Sequence, residues 1–154
     1  MVAQLWRPND LARYFNVYGP GQDPSSEYAA VIPRFIVACL TDKRPTIYGD
    51  GDQSRDFTYI DDVVDANLRA LASSDSAFGR AFNIAGGRPP TSVNRLLNLI
   101  GELTGRRPDP THVTTREGDI RRSQADVSAA RSAIAYESRF TIEDGLRRTV
   151  DSYS

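Results

Sequence analysis

Residues 45–63 read PTIYGDGDQSRDFTYIDDV, and this stretch decides the fold class. Thr46–Tyr48 has the β-branched and aromatic content of a short strand. Gly49-Asp50-Gly51-Asp52 is a turn, and Asp56–Ile60 (DFTYI) reads as a second strand. Asp61 or Asp62 then stands where a helix cap belongs. Behind it, Val63, Val64, Asn67, Leu68 and Leu71 recur at helical spacing to about Ala72. One strand, a glycine turn, another strand and a helix within thirty residues set a mixed α/β pattern.

Working outward, the pattern repeats. Towards the amino terminus, Leu11–Tyr18 (LARYFNVY) reads as one strand running into Gly19-Pro20-Gly21, and residues 19–26 read as a loop. Ser25 or Ser26 is placed to cap a helix over roughly residues 27–41, with Tyr28, Val31, Ile32, Phe35, Ile36 and Cys39 on its apolar side. Pro33 predicts a kink or a late start near residue 32. Towards the carboxy terminus, Arg80–Ala85 reads as a strand ended by Gly86-Gly87. Thr91 or Ser92 caps a helix to about Thr104, with Val93, Leu96, Leu97, Ile100 and Leu103 inward and Gly105 as its stop. His112–Thr115 reads as a strand and Asp126–Ala133 as a short helix. Thr141-Ile-Glu-Asp144 has capping-box spacing for a last helix to about Tyr153. Strands and helices interleave throughout, which is the signature of an α/β fold.

The 154 residues suit one domain of ordinary size. Forty per cent hydrophobic and 25% charged residues exclude a disordered or collagen-like chain. No apolar run is long enough to span a bilayer. The net charge of −1 argues against general attraction to nucleic acid. Cys39 is the only cysteine and His112 the only histidine, so an internal disulfide is impossible and a His/Cys metal site is not supported. The single cysteine fits a reducing, cytoplasmic setting. Of the nineteen basic residues eighteen are arginine, and Lys43 is the only lysine. Neither Gly19-Pro20-Gly21-Gln-Asp-Pro24 nor Gly49-Asp50-Gly51-Asp-Gln-Ser54 completes G-x-G-x-x-G, and no G-x-x-x-x-G-K occurs.

Four segments carry a resemblance: RYFNVYGPGQDP (13–24), YAAVIPRF (28–35), PTIYGDGDQSRDFTYIDDV (45–63) and REGDIRRSQADV (116–127). In this order and spacing they resemble the carboxy-terminal portion of UDP-sugar 4-epimerases. These are extended short-chain dehydrogenase/reductases of the NAD-dependent epimerase/dehydratase family. The resemblance implies an α/β chain that is the substrate-binding C-terminal portion of a Rossmann-type epimerase, with the NAD-binding half absent. Residues 13–154 would form that portion, and residues 1–12 read as a non-matching leader.

The resemblance also implies a UDP-sugar site, position by position. Asn16 looks like the asparagine that contacts the diphosphate or sugar. Phe15 would lie near the nicotinamide of NAD. Ala30 and Val31 fall where backbone meets the nucleotide. Tyr48 resembles the aromatic wall for uracil, and Arg55 and Arg116 resemble the two arginines that clamp the diphosphate. Asp119 resembles the acid that bonds the ribose. Ser123 stands where a small residue leaves room for an N-acetyl group, which implies a UDP-N-acetylhexosamine. The chemistry agrees: a diphosphate calls for permanently charged, fork-shaped donors, and a ribose diol for a carboxylate acceptor. Taken singly, Arg55-Asp56 is an ordinary surface ion pair, Tyr48 a core residue, Asp119 a turn residue and Asn16 a turn-bonding side chain. The surrounding motifs favour the site reading.

The family's proton-transferring Tyr-x-x-x-Lys pair cannot be formed here, because Cys39 stands four residues before Lys43. The resemblance therefore implies no epimerase activity by the chain alone, and NAD not bound by it. Three readings follow: a substrate lobe with a separately encoded NAD-binding half as partner, a non-catalytic UDP-sugar-binding module, or a remnant without a fold of its own. Within the family, a 4-epimerase of the UDP-glucose or UDP-N-acetylglucosamine type is preferred to a dehydratase or UDP-glucuronate decarboxylase.

Overall fold

A computed structural model describes residues 11–25, 31–73 and 79–153. The leader at residues 1–10, the cap at Ser26, and Tyr28 and Ala30 lie outside the described residues. The elements run β1 (Leu11–Tyr14), β2 (Val17–Tyr18), α1 (Val31–Leu40), β3 (Thr46–Tyr48), β4 (Ser54–Arg55), β5 (Thr58–Tyr59) and α2 (Ile60–Ala72). They continue with β6 (Ala81–Ile84), β7 (Thr91–Ser92), α3 (Val93–Thr104), β8 (Thr111–Val113), α4 (Ser128–Ile134) and α5 (Ile142–Asp151). β1 takes in Leu11 and Ala12, two residues of the expected leader.

The strands form four two-stranded pairs. β1–β6, β2–β5 and β3–β8 are parallel, and β4–β7 is antiparallel. The expected single strand over Leu11–Tyr18 is in fact two. Asn16 interrupts it with φ +39°, a left-handed conformation that asparagine tolerates better than most residues. Before the break, the Phe15 N–H donates to Ile84 O (3.1 Å) as a continuation of the β1–β6 pairing. After it, Thr58 N–H donates to Asn16 O (3.3 Å) and β2 joins β5. The chain changes partners at this residue.

The expected strand over Asp56–Ile60 is also divided. β4 pairs with β7 and β5 pairs with β2, while Asp56 and Phe57 lie between them unpaired in either ladder. Asp56 is buried, and its carboxylate accepts from Ala125 N–H (3.2 Å) and from the Gly86 and Gly87 amides. Gly86 has no room for a Cβ, which would stand 2.7 Å from Phe57 O.

Two helical cores follow. One gathers Ile32, Phe35, Ile36 and Cys39 of α1, Leu96, Leu97 and Ile100 of α3, and Leu146 and Val150 of α5 around Tyr18, Ile47 and Tyr59. The other joins Val63 and Ala66 of α2 to Phe82 and Ile84 of β6, and to Ala130 and Ile134 of α4. Pro33 falls in the first described turn of α1, where its missing N–H removes little. Ser92 caps α3 by accepting from Arg95 N–H (3.2 Å), and Gly105 ends it at φ +66°. Thr141 and Asp144 form the expected capping box.

The expected cap at Asp61 or Asp62 is corrected. Tyr59 is the N-cap of α2 and makes no side-chain capping bond. Asp62 lies inside the helix and is buried. Its carboxylate accepts from Arg139 N–H (2.9 Å), Phe140 N–H (3.4 Å) and Ser138 Oγ (2.8 Å), so it anchors the approach to α5 instead. The apolar face expected for α2 is corrected too. Val63 is buried, but Val64, Leu68 and Leu71 are exposed.

Gly145 sits within α5, where alanine ordinarily gains about 1 kcal/mol in helix propensity. A methyl here would overlap the Tyr18 hydroxyl and stand 2.8 Å from the Tyr59 ring. Overpacking of this kind costs about 1–3 kcal/mol. Gly145→Ala is therefore expected to lower the melting temperature, and a higher one would show that the helix does not need this close approach.

Candidate functional site

The crevice beside Asn16 is the natural place for a ligand, because chain ends diverge where strands change partners. Asn16 Nδ2 donates to Asp56 O (3.1 Å), and the Thr58 hydroxyl donates to Phe15 O, so both sides of the break are pinned. A cleft of about 590 Å³ opens here, walled by α1 on one side and by the chain from β3 to β5 on the other. Asn16, Val31, Tyr48, Arg55, Arg116 and Asp119 all line it.

Two arginine–partner pairs shape the cleft. Arg55, from β4, forms an ion pair with Asp119 and also donates to Ile120 O and, at 2.9 Å, to Ser54 O. Both members of the pair are about one-fifth exposed, so the contact is better shielded than an ordinary surface ion pair. Arg116 lies over the Tyr48 ring, its guanidinium carbon 3.9 Å from the ring centroid, within cation–π range. As hydrogen-bond donor and as positive charge, Arg116 holds the Tyr48 phenol below its ordinary value.

Backbone pairing explains how residues more than sixty positions apart meet. Ser54 N–H donates to Arg121 O (2.9 Å) and Ser123 N–H to Ser54 O (3.0 Å), so the 119–123 segment runs along β4. Arg121 grips Asp50 through both carboxylate oxygens (2.7 and 2.8 Å), and Asn94 donates to Asp50 O (2.9 Å). These bonds fix the turn after β3. Gly51 at φ +80° is obligatory in that turn, since a Cβ would overlap the Asn94 amide. Buried Gln53 donates to Tyr48 O (2.6 Å) and holds the ring's backbone.

Two of the nominated residues do not join this cleft. Ser123 serves the ladder beside β4 and does not line the cleft. Phe15 is half-buried against the second core, and Ala30 lies outside the described residues. Phe57 and Arg34 line the cleft without having been singled out. Phe57 was detectable by alternation: Arg55 and Phe57 face the cleft while Asp56 between them is buried, as period-two geometry requires. Arg34 carried no such signal.

In the glycine turn after β2, the space beside Gly19 is filled by the Ile60 side chain, while a Cβ at Gly21, which holds φ +78°, would meet nothing within 4 Å. The sequence has no glycine-rich crossover loop elsewhere.

The cleft thus brings two arginines, an aromatic ring and a carboxylate together on an α/β frame. Residues 11–85 match the model of the NAD dependent epimerase/dehydratase family. A UDP-glucuronate 4-epimerase of Thermodesulfobacterium geofontis is 34% identical over 141 residues, covering 92% of this chain and 42% of the relative. A UDP-N-acetyl-alpha-D-glucosaminuronate decarboxylase of Bacillus cytotoxicus is 32% identical over 149 residues, covering 93% and 45%. The crystal structure of Thermotoga maritima UDP-glucose 4-epimerase with UDP-glucose superposes with a TM-score of 0.86 at 40% identity, covering 92% of this chain and 44% of that one. The chain belongs to the NAD-dependent epimerase/dehydratase family and spans less than half the length of these relatives.

The Tyr48–Arg116 contact gives a direct test. The guanidinium favours the phenolate, so Tyr48 should titrate below the ordinary tyrosine value of about 10. Ultraviolet titration of tyrosinate absorbance, taken as the difference from Tyr48→Phe, isolates this group. Arg116→Ala should move its midpoint upward; an unmoved midpoint would mean that Arg116 does not rest on the ring in solution.

Proposed function

We propose that this chain is the UDP-sugar-binding, carboxy-terminal portion of an NAD-dependent 4-epimerase of the UDP-glucose or UDP-N-acetylglucosamine type. The observation that carries the reading is the meeting of Asn16, Tyr48, Arg55, Arg116 and Asp119 in one cleft. Their chemistry matches one ligand class, a pyrimidine nucleoside diphosphate with a sugar attached.

In this reading each side chain binds or orients. Arg55 and Arg116 neutralise the diphosphate, and arginine suits the task because its charge is permanent and its donors are forked. Asp119 steadies Arg55 through Oδ1 and offers Oδ2 to a ribose hydroxyl. Arg116 leaves the Tyr48 ring for the phosphates, and the freed ring face takes the uracil. Asn16, at the change of strand partners, offers its side chain towards the sugar end. NAD, when bound by the intact enzyme, supplies hydride transfer at the sugar ring. This chain has no Tyr-x-x-x-Lys pair, so its residues act by holding the substrate.

A non-catalytic UDP-sugar-binding module is the second reading, favoured because the cleft is built from this chain's own residues. Both readings need UDP affinity. A thermal melt should rise with excess UDP, by about 2.7 kcal/mol of stabilisation at 100 times the dissociation constant. A melt unmoved by UDP would overturn both. By calorimetric titration, Arg55→Ala and Arg116→Ala should each weaken UDP binding by about 1.5–3 kcal/mol, the range for hydrogen bonds to charged groups. Unchanged affinity in both variants would remove the site assignment. The 154-residue chain with added NAD should show no interconversion of UDP-glucose and UDP-galactose, and turnover by the pure protein would refute that expectation.

A further inference from the structure

We infer that Arg34 of α1 reads the base of the bound nucleotide, donating to the carbonyl at C4 of a uracil-type ring and so selecting it over cytosine. The inference rests on the proposed function and deepens it. A flat wall such as Tyr48 accepts either pyrimidine, and a donor at the edge of the ring tells them apart.

The helix sets the position. Val31, Arg34, Ala38 and Thr41 line the cleft at spacings of three and four, so they mark one face of α1. Arg34 stands one turn from the start of that helix. Arg34 and Arg116 are the two cations whose charge lowers the Tyr48 phenol, which makes Arg34 a neighbour of the ring. Asp119, the carboxylate assigned to the ribose, is held by Arg55 on the opposite wall. A pyrimidine lying on Tyr48 with its ribose at Asp119 points away from that wall. C4 stands across the ring from the nitrogen that carries the ribose, so its substituent extends towards α1.

Most other side-chain donors of the cleft are committed. Gln53 donates to Tyr48 O (2.6 Å) and the Thr41 hydroxyl to Val37 O (2.7 Å). Arg44 pairs with Asp109 (3.0 Å) and Arg55 with Asp119. Arg116 is the cation that leaves the ring for the diphosphate. Lys43 lies past the end of α1. Among the described residues Arg34 has no carboxylate partner, and it is exposed at the cleft. A guanidinium carries five N–H donors and no acceptor. It suits the O4 of uracil, which accepts, and it meets the C4 amine of cytosine as donor against donor. A site that leaves buried polar groups unpaired rejects the wrong ligand strongly. The competing account is that Arg34 only adds positive charge for the diphosphate. On that account its loss would weaken every nucleoside diphosphate alike.

The test is calorimetric titration of the 154-residue chain with UDP and with CDP. The parent should bind UDP about tenfold or more tightly than CDP, the effect of one hydrogen bond to a charged group. Arg34→Ala should remove that preference by weakening UDP far more than CDP. Lys43→Ala, which takes a cation from the far end of the cleft, should leave the preference as it is in the parent. Equal binding of UDP and CDP by the parent would overturn the inference. So would a parallel loss of both in Arg34→Ala, and in either case the UDP site itself would stand. A parent that binds neither nucleotide would remove the proposed function and this inference with it.

Discussion

At Asn16 the chain leaves one parallel strand pair and enters another, and the arrangement of the cleft depends on that transfer. The residue holds a left-handed backbone that few side chains accept, and its amide is tied to Asp56 O. Its carbonyl receives Thr58 N–H, and the carbonyl just before it receives the Thr58 hydroxyl. One bend therefore sets the relative position of β1–β6 and β2–β5 and opens the crevice between them. Tyr18, two residues on, is buried against α5 at the place where Gly145 leaves room for its ring. The ligand cleft and the larger helical core are thus referenced to the same short stretch of chain.

The second constraint is a buried carboxylate on each side of that stretch. Asp56 gathers the backbone amides of Gly86, Gly87 and Ala125, and its burial raises its pKa above the ordinary value. Asp62 gathers those of Arg139 and Phe140. Each collects loops from distant parts of the sequence. Neither lines the cleft, although Asp56 directly follows Arg55 in the chain. A carboxylate accepting several amide hydrogen bonds can be buried without a cationic partner, because the donors replace its lost hydration. The cleft itself is lined by Arg34, Lys43, Arg44, Arg55 and Arg116 against the single carboxylate of Asp119, so positive charge prevails there.

Much of this was legible in the sequence, wherever a local rule decides the outcome. The capping box at Thr141 and Asp144, the Ser92 cap and the Gly105 stop follow from chemistry confined to a single turn, and each is present. The gathering of Asn16, Tyr48, Arg55, Arg116 and Asp119 was legible only through resemblance. No local rule brings Asp119 to Arg55; the 119–123 segment reaches it by pairing with β4. The division of two expected strands was hidden for the same reason. Propensity sees an unbroken β-rich run, while the pairing partner changes at Asn16 and again between Arg55 and Thr58.

Helix α2 shows a different kind of disagreement. The spacing of Val63, Val64, Leu68 and Leu71 correctly marks a helix, and three of those four side chains stand in water. Exposed apolar residues at helical spacing gain nothing from the residues around them, and a helix that only had to be soluble would carry polar groups there. Val63 and Ala66 meet β6 and α4, so the inner stripe alone ties α2 into the core. Periodicity therefore reports that a helix forms, while the elements packed around it decide which of its apolar positions are buried.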